Sequence, residues 1–135
     1  PDATDRRAPT ARIAVPRCAT RLSRTACRRF RASPRAWRTL RGTVSDPSPS
    51  SGIARVELTI VRRTGRRCAA YDGRRFVSMP CARAGRRTVA ARVRGRAWAL
   101  RLLTLPRGRY VVTARAVDRA ANRQRRPAAR SLGLR

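Results

Sequence analysis

Trp98-Ala-Leu-Arg-Leu-Leu-Thr-Leu-Pro-Arg-Gly-Arg-Tyr110, running on through Val-Val-Thr-Ala-Arg-Ala-Val to Asp118, decides how the rest of this chain is read. Apolar residues recur at every second position. Trp98, Leu100 and Leu102 share one face with Arg101 opposite; Tyr110, Val112, Ala114 and Ala116 share another, against Arg109, Thr113 and Arg115. A period of two belongs to a strand half-buried in a sheet, whereas a helix repeats about every 3.6 residues. Leu-Pro-Arg-Gly between the runs is turn chemistry, so the two are expected to lie side by side as adjacent antiparallel strands.

The same alternation recurs upstream. Ala54, Val56, Leu58 and Ile60 alternate with Arg55, Glu57 and Thr59, and Leu40, Gly42 and Val44 alternate with Arg41 and Thr43. Thr10 to Val15 is a short strand that Pro16 ends. Cys68 to Tyr71, Asp72-Gly73 and Arg74 to Val77 read as a hairpin about an Asp-Gly turn. Thr88 to Val93 is one further strand, and residues 129–134 a last one, confined to an edge by Pro127. Ser45 to Gly52 is a loop. Between Arg17 and Arg38 the pattern lapses, Ser33-Pro34 interrupts it, and Phe30 and Trp37 are the anchors; no segment makes a convincing helix. The expected fold class is all-β: an antiparallel sandwich of seven or eight strands, with a disulfide-stapled excursion between the first two. Residues 10–134 form the single domain and residues 1–9 a linker entering it. Val56, Leu58, Ile60, Trp98, Leu100, Tyr110 and Val112 are the expected core.

Charge dominates the composition. Among 135 residues Arg supplies all 35 basic side chains, Lys and His are absent, and Asp2, Asp5, Asp46, Glu57, Asp72 and Asp118 are the only acids, for a net charge of +29. Such an excess points to nucleic acid or another polyanion. A GC-rich coding bias is the competing explanation: it accounts for Arg over Lys but not for the scarcity of acids. If the charge is functional, Arg62, Arg63, Arg66, Arg67, Arg74 and Arg75 are the candidate polyanion-binding residues, extending one positive field at one hairpin. Arginines 41, 55, 101 and 115 alternate with core positions and belong on the outer sheet faces. Phe76 and Tyr71, beside Arg74 and Arg75, are the only aromatics placed to stack on bases. The partners this chemistry fits are an anionic cell-wall polymer, an acidic glycan or extracellular DNA, besides flanking domains of the same parent chain.

Cys18, Cys27, Cys68 and Cys81 contain no C-x-x-C pair and have no His to help them, so a metal site is not expected. Four cysteines allow three pairings. Cys18–Cys27 with Cys68–Cys81 is the simplest, since each closes a local loop, and it implies an oxidising compartment; four buried free thiols are the alternative. Without His or Lys, and with carboxylates scattered, no catalytic set is visible, so no enzyme activity and no cofactor are expected. Asp46 and Asp118 end strands, and with Asn122 they either share a calcium ion or each cap their own turn. No apolar run approaches the ~18 residues of a membrane helix. Pro1 without a preceding Met, and no signal-peptide pattern, are expected of a processed product or fragment.

Gly42-Thr-Val-Ser-Asp46 with Ser51-Gly-Ile-Ala-Arg-Val56, and Leu105-Pro-Arg-Gly-Arg-Tyr110 with Ala116-Val-Asp-Arg-Ala-Ala-Asn122, resemble the opening and closing motifs of bacterial immunoglobulin-like domains. The resemblance covers roughly residues 10–134. It implies a secreted or cell-surface sandwich, repeated in tandem or appended to an enzyme, that acts as a spacer, adhesion or ligand-binding module. Ala121 departs from the pattern, standing where Gly is usual, and the cysteine-bearing excursion is an addition to it. Tyr110, after Leu-Pro-x-Gly, either forms a tyrosine corner or simply packs in the core. Two functions therefore stand side by side: a non-catalytic extracellular module, and an Arg-rich, non-specific nucleic-acid or polyanion binder.

Overall fold

The alternating segments assemble into two antiparallel sheets in the computed structural model of the chain, which describes residues 7–47 and 52–135. Most of the expected linker (1–6) and part of the expected loop (48–51) lie outside the described residues. In chain order the elements are β1 (Thr10–Ile13), α1 (Arg24–Arg31), α2 (Pro34–Trp37), β2 (Thr39–Ser45), β3 (Ile53–Thr64), β4 (Arg67–Tyr71), β5 (Phe76–Met79), α3 (Cys81–Ala84), β6 (Val89–Ala90), β7 (Arg92–Arg94), β8 (Ala97–Arg101), β9 (Gly108–Asp118) and β10 (Ala128–Leu134). One sheet has the order β1-β2-β8-β7; the other runs β10-β9-β3-β4-β5, with β6 also paired to β3. The fold is an all-β sandwich, and it carries ten strands among the described residues where seven or eight were expected.

One additional strand comes from the segment read as a single strand over 88–93. Val89 and Ala90 pair with β3, whereas residues 92–94 pair with β8 in the other sheet. The chain changes sheets at Ala91, whose backbone N–H donates to the Val56 carbonyl at 3.0 Å.

One expected pairing and one expected facing need correction. The runs around Trp98 and Tyr110 are not adjacent strands: β8 belongs to the four-stranded sheet and β9 to the other, and residues 102–107 cross between them. Leu102 and Leu105 are buried within that crossing, so it passes over the end of the core as an arch and is no solvent-exposed hairpin turn. Ala54 is exposed and not part of the core face, because the β3–β9 register shifts between Ile53 and Arg55. A bulge turns Ile53 inward in its place.

Elsewhere the alternation holds. Val56, Leu58 and Ile60 of β3 and Tyr110, Val112, Ala114 and Ala116 of β9 are buried in one core with Leu40, Val44 and Trp98 from the opposite sheet, and Leu100 packs against them half-buried. Each fully buried Val, Leu or Ile contributes roughly 1.5–3 kcal/mol. Trp98 reaches across β2 because Gly42 offers no side chain: a Cβ there would stand 2.3 Å from Trp98 Cε2. The indole Nε1 can then donate to the Arg12 carbonyl on β1 at 3.1 Å.

The crossing from β8 to β9 is a tyrosine corner. The Tyr110 hydroxyl donates to the Pro106 carbonyl. Arg62 Nη2 donates to the neighbouring Arg107 carbonyl at 2.7 Å. Gly108 has φ +151, and a Cβ on it would lie 2.8 Å from Arg62 Nε. The Leu-Pro-Arg-Gly-Arg-Tyr sequence thus has a role at most positions: a buried Leu, an acceptor carbonyl on Pro106, a Gly where a side chain would collide, and the Tyr that ties the arch down.

Between β1 and β2 lies the expected excursion, but it is helical, contrary to the reading that found no helix. Ser23 caps α1 by accepting from Ala26 N at 3.1 Å, and Ser33 caps α2, where Pro34 occupies the first turn. No residue of α1 is fully buried, so no apolar stripe announced it. What holds it is the Cys18–Cys27 disulfide and Trp37, which is buried in the main core and donates Nε1–H to the Arg31 carbonyl at 2.7 Å. Cys68–Cys81 is the second disulfide, and it pins α3 over Val61 and Ala70 on the outer face of the β3-containing sheet. Both pairings are the simple local ones. With sequence separations of 9 and 13 residues, each contributes roughly 3 kcal/mol by the loop-entropy estimate. Disulfides of this kind form and persist in an oxidising environment. No helix among the described residues is long and apolar enough to cross a membrane.

Candidate functional site

The hairpin arginines do not form one patch. Arg63, Arg66 and Arg67 surround the β3–β4 turn and Arg74 and Arg75 the β4–β5 turn, at opposite ends of β4. That strand has five residues; at ~3.3 Å each, the two turns stand roughly 17 Å apart. Arg62 belongs to neither, since its guanidinium is engaged at the tyrosine corner. The aromatic half of the expectation is also corrected. Tyr71 is fully buried, accepts from Leu103 N at 2.9 Å and donates to the Gly73 carbonyl at 3.0 Å. Phe76 packs between Tyr71 and Tyr110, with ring centroids 5.3 and 5.4 Å away. The Tyr71 ring is therefore closed to a base, and Phe76 is half-buried with two rings against it.

Each acid whose partners the structure records is engaged within the fold. Asp72 Oδ1 accepts from Arg75 N at 3.0 Å and Arg74 N at 2.8 Å. Those backbone hydrogen bonds, that of Arg75 foremost, hold its carboxyl below the usual range. Asp118 is buried and accepts from Asn122 N at 2.8 Å and Asn122 Nδ2 at 3.0 Å, so it caps its own turn. That turn needs a left-handed residue, and Ala121 supplies it at φ 66 without being Gly. Glu57 lies on the outer face of the β3-containing sheet, 2.9 Å from Arg123 and 3.9 Å from Arg55. Asp46 closes β2. Among the described residues no three His, Cys, Asp or Glu side chains converge as a metal site would require.

The two outer faces therefore differ. On the β3-containing sheet, Arg55 and Arg115 flank Glu57, and α3 covers part of the surface. On the other sheet Arg41 and Arg101 are exposed, as their alternation with core residues requires, and the register brings further arginines beside them. Arg12 pairs with Thr43, Arg92 with Ala99 and Arg94 with Ala97.

Gln124 was not singled out by the reading of the sequence. It is the only Gln in the chain, set among arginines, and it is buried. Its Oε1 accepts from Ala11 N at 2.8 Å and Ala116 N at 3.1 Å; its Nε2 donates to Ala11 O at 3.3 Å and Arg126 O at 2.9 Å. One amide thus joins β1 of one sheet to β9 of the other. A lone neutral amide inside a run of cations was the available hint.

Compared with known proteins, the chain matches no family model, no curated protein and no solved structure.

Proposed function

We propose that this chain is a non-catalytic, extracellular module of immunoglobulin-like architecture, a structural unit of a larger secreted or surface protein, whose arginines grip anionic polymer. The observation that carries the architecture is strand order. In an immunoglobulin sandwich one sheet runs A-B-E-D and the other G-F-C, extended in variable-type domains by C′ and C″. Here β1-β2-β8-β7 and β10-β9-β3-β4-β5 follow those two orders, and the tyrosine corner falls at the start of the sixth strand in that scheme. Two disulfides support an extracellular location. Asp72 and Asp118 held on their own turns, with no His or Lys in the chain, support a non-catalytic role.

The charge favours polyanion binding as the module's activity. A face without stacking aromatics and without a projecting helix or ribbon has no means of reading base edges, so binding runs through charge and counterion release. Guanidinium groups accept phosphate and carboxylate alike. The test is titration of the oxidised protein at 50 mM salt with two duplex oligonucleotides of unrelated sequence and one acidic polysaccharide. Dissociation constants within about tenfold of one another are expected. A strong preference for one duplex sequence would identify a DNA reader, and no binding to any of the three would leave the module as a spacer.

A further inference from the structure

The outer face of the β1-β2-β8-β7 sheet contains a shallow trough of about 330 Å³, and its lining includes Arg41, Thr43, Arg92, Arg94, Ala97 and Ala99. Register explains its shape. Across the sheet, one row reads Arg94, Ala97, Thr43, Arg12; the next reads Arg92, Ala99, Arg41. Both outward positions in the middle of β8 are Ala, so the floor is low. On β7 both neighbours are Arg, and on β2 the neighbours are Arg41 and Thr43. Strands stand ~4.8 Å apart, so the β7 and β2 walls are roughly 10 Å from each other across β8.

We infer that this trough is the seat of the polyanion, and that its occupant is a single chain of acidic polysaccharide lying along β8. The inference rests on the polyanion-binding reading above and deepens it. Charge complementarity is the first argument. Arg12, Arg41, Arg92 and Arg94 are all exposed, and among the described residues no carboxylate lines the trough. The opposite outer face carries Glu57 within its arginines. Dimensions are the second. A gap of roughly 10 Å between strand backbones admits one polymer chain, while a duplex would meet only the tips of the walls. The floor is the third. Methyl groups of Ala97 and Ala99 suit the C–H faces of sugar rings while guanidinium groups on both sides take the carboxylates. Sites for single-stranded nucleic acid combine a basic groove with successive aromatic platforms, and among the described residues no aromatic ring lines this floor other than the buried Trp98.

Two triple variants of equal charge separate location from bulk charge: Arg41→Ser with Arg92→Ser and Arg94→Ser, and Arg66→Ser with Arg67→Ser and Arg74→Ser. All six positions are exposed, and far-ultraviolet circular dichroism checks that both variants fold. The probes are a polygalacturonate oligomer and a single-stranded oligonucleotide of matched charge, each at 50 and 150 mM salt. We expect the trough triple to weaken polygalacturonate binding at least tenfold at 150 mM and the turn triple less than twofold. The unaltered protein should retain polygalacturonate over the oligonucleotide at that salt. Equal losses in the two triples would overturn the location while leaving polyanion binding intact. Tighter binding of the oligonucleotide at 150 mM would overturn the occupant. No binding of either probe by the unaltered protein at 50 mM would remove the underlying function as well. A third variant, Ala99→Glu, places a carboxylate between Arg41 and Arg92 and should reproduce the loss without removing an arginine.

Discussion

Replacing Gln124 by Met removes the one amide that bridges the two sheets while keeping nearly the same shape. Ala11 N and Ala116 N would each lose an acceptor, and both residues are at most 1% exposed, so water cannot replace it. An orphaned buried donor costs about 1–3 kcal/mol. Two of them, less the cost of desolvating the amide itself, give roughly 2–4 kcal/mol against a domain stability of about 5–15 kcal/mol. Urea unfolding followed by tryptophan fluorescence, with the disulfides intact, reads the effect. At a slope of about 1–3 kcal/mol per molar, the midpoint should fall by about 1–2 M with the slope unchanged. Amide hydrogen exchange gives a second readout, since protection should drop at Ala11 and Ala116 more than at Val112. A loss within about 0.5 kcal/mol, as at an ordinary surface site, would refute the bridge.

Three further outcomes follow from the same geometry. Burial raises the Tyr110 pKa above its ordinary 10.0, with Arg62 opposing; the unfolded chain therefore releases this proton first, and stability that is full below pH 10 should decline as pH rises above it. In Tyr110→Phe this alkaline limb should flatten, and an unchanged limb would show that Tyr110 is not its source. Ala121→Gly relieves a left-handed φ of 66 and should stabilise by about 1 kcal/mol, a rise of roughly 3–5 °C in Tm by calorimetry; a fall would mean that the turn is not strained. Trp98→Ala should cost about 3–5 kcal/mol in the same urea assay, and a surface-like value would contradict its place in the core.

What was legible in the sequence was facing. Val56, Leu58 and Ile60, or Tyr110, Val112 and Ala114, alternate with polar residues because one side of each sheet is buried, and that period survives in the sequence whichever strand lies beside it. Partnership was less visible. A Pro/Gly turn looks much the same in a hairpin and in an arch between sheets; only the apolar Leu102 and Leu105 inside it distinguished the two. The bulge at Ala54 shifted the facing of one residue that alternation alone assigned to the core. Helix α1 was hidden because a cap, a disulfide and a neighbouring Trp hold it without a fully buried face. Of the candidate site, the arginines on outer faces were foreseen, but the single hairpin patch was not a patch. Arg92, Ala99 and Arg41 become neighbours only through cross-strand register, which no spacing along the chain encodes.

Under the proposed function, arginine charge on the sandwich binds polyanions without reading their sequence. The most direct measurement is the affinity for one duplex oligonucleotide at a series of salt concentrations between 50 and 200 mM. Counterion release at six or more phosphates predicts a fall of about 10³-fold or more across that range, linear in the logarithm of salt, and the same slope for an unrelated duplex. An affinity that holds at 200 mM, or slopes that differ between the two sequences, would contradict it.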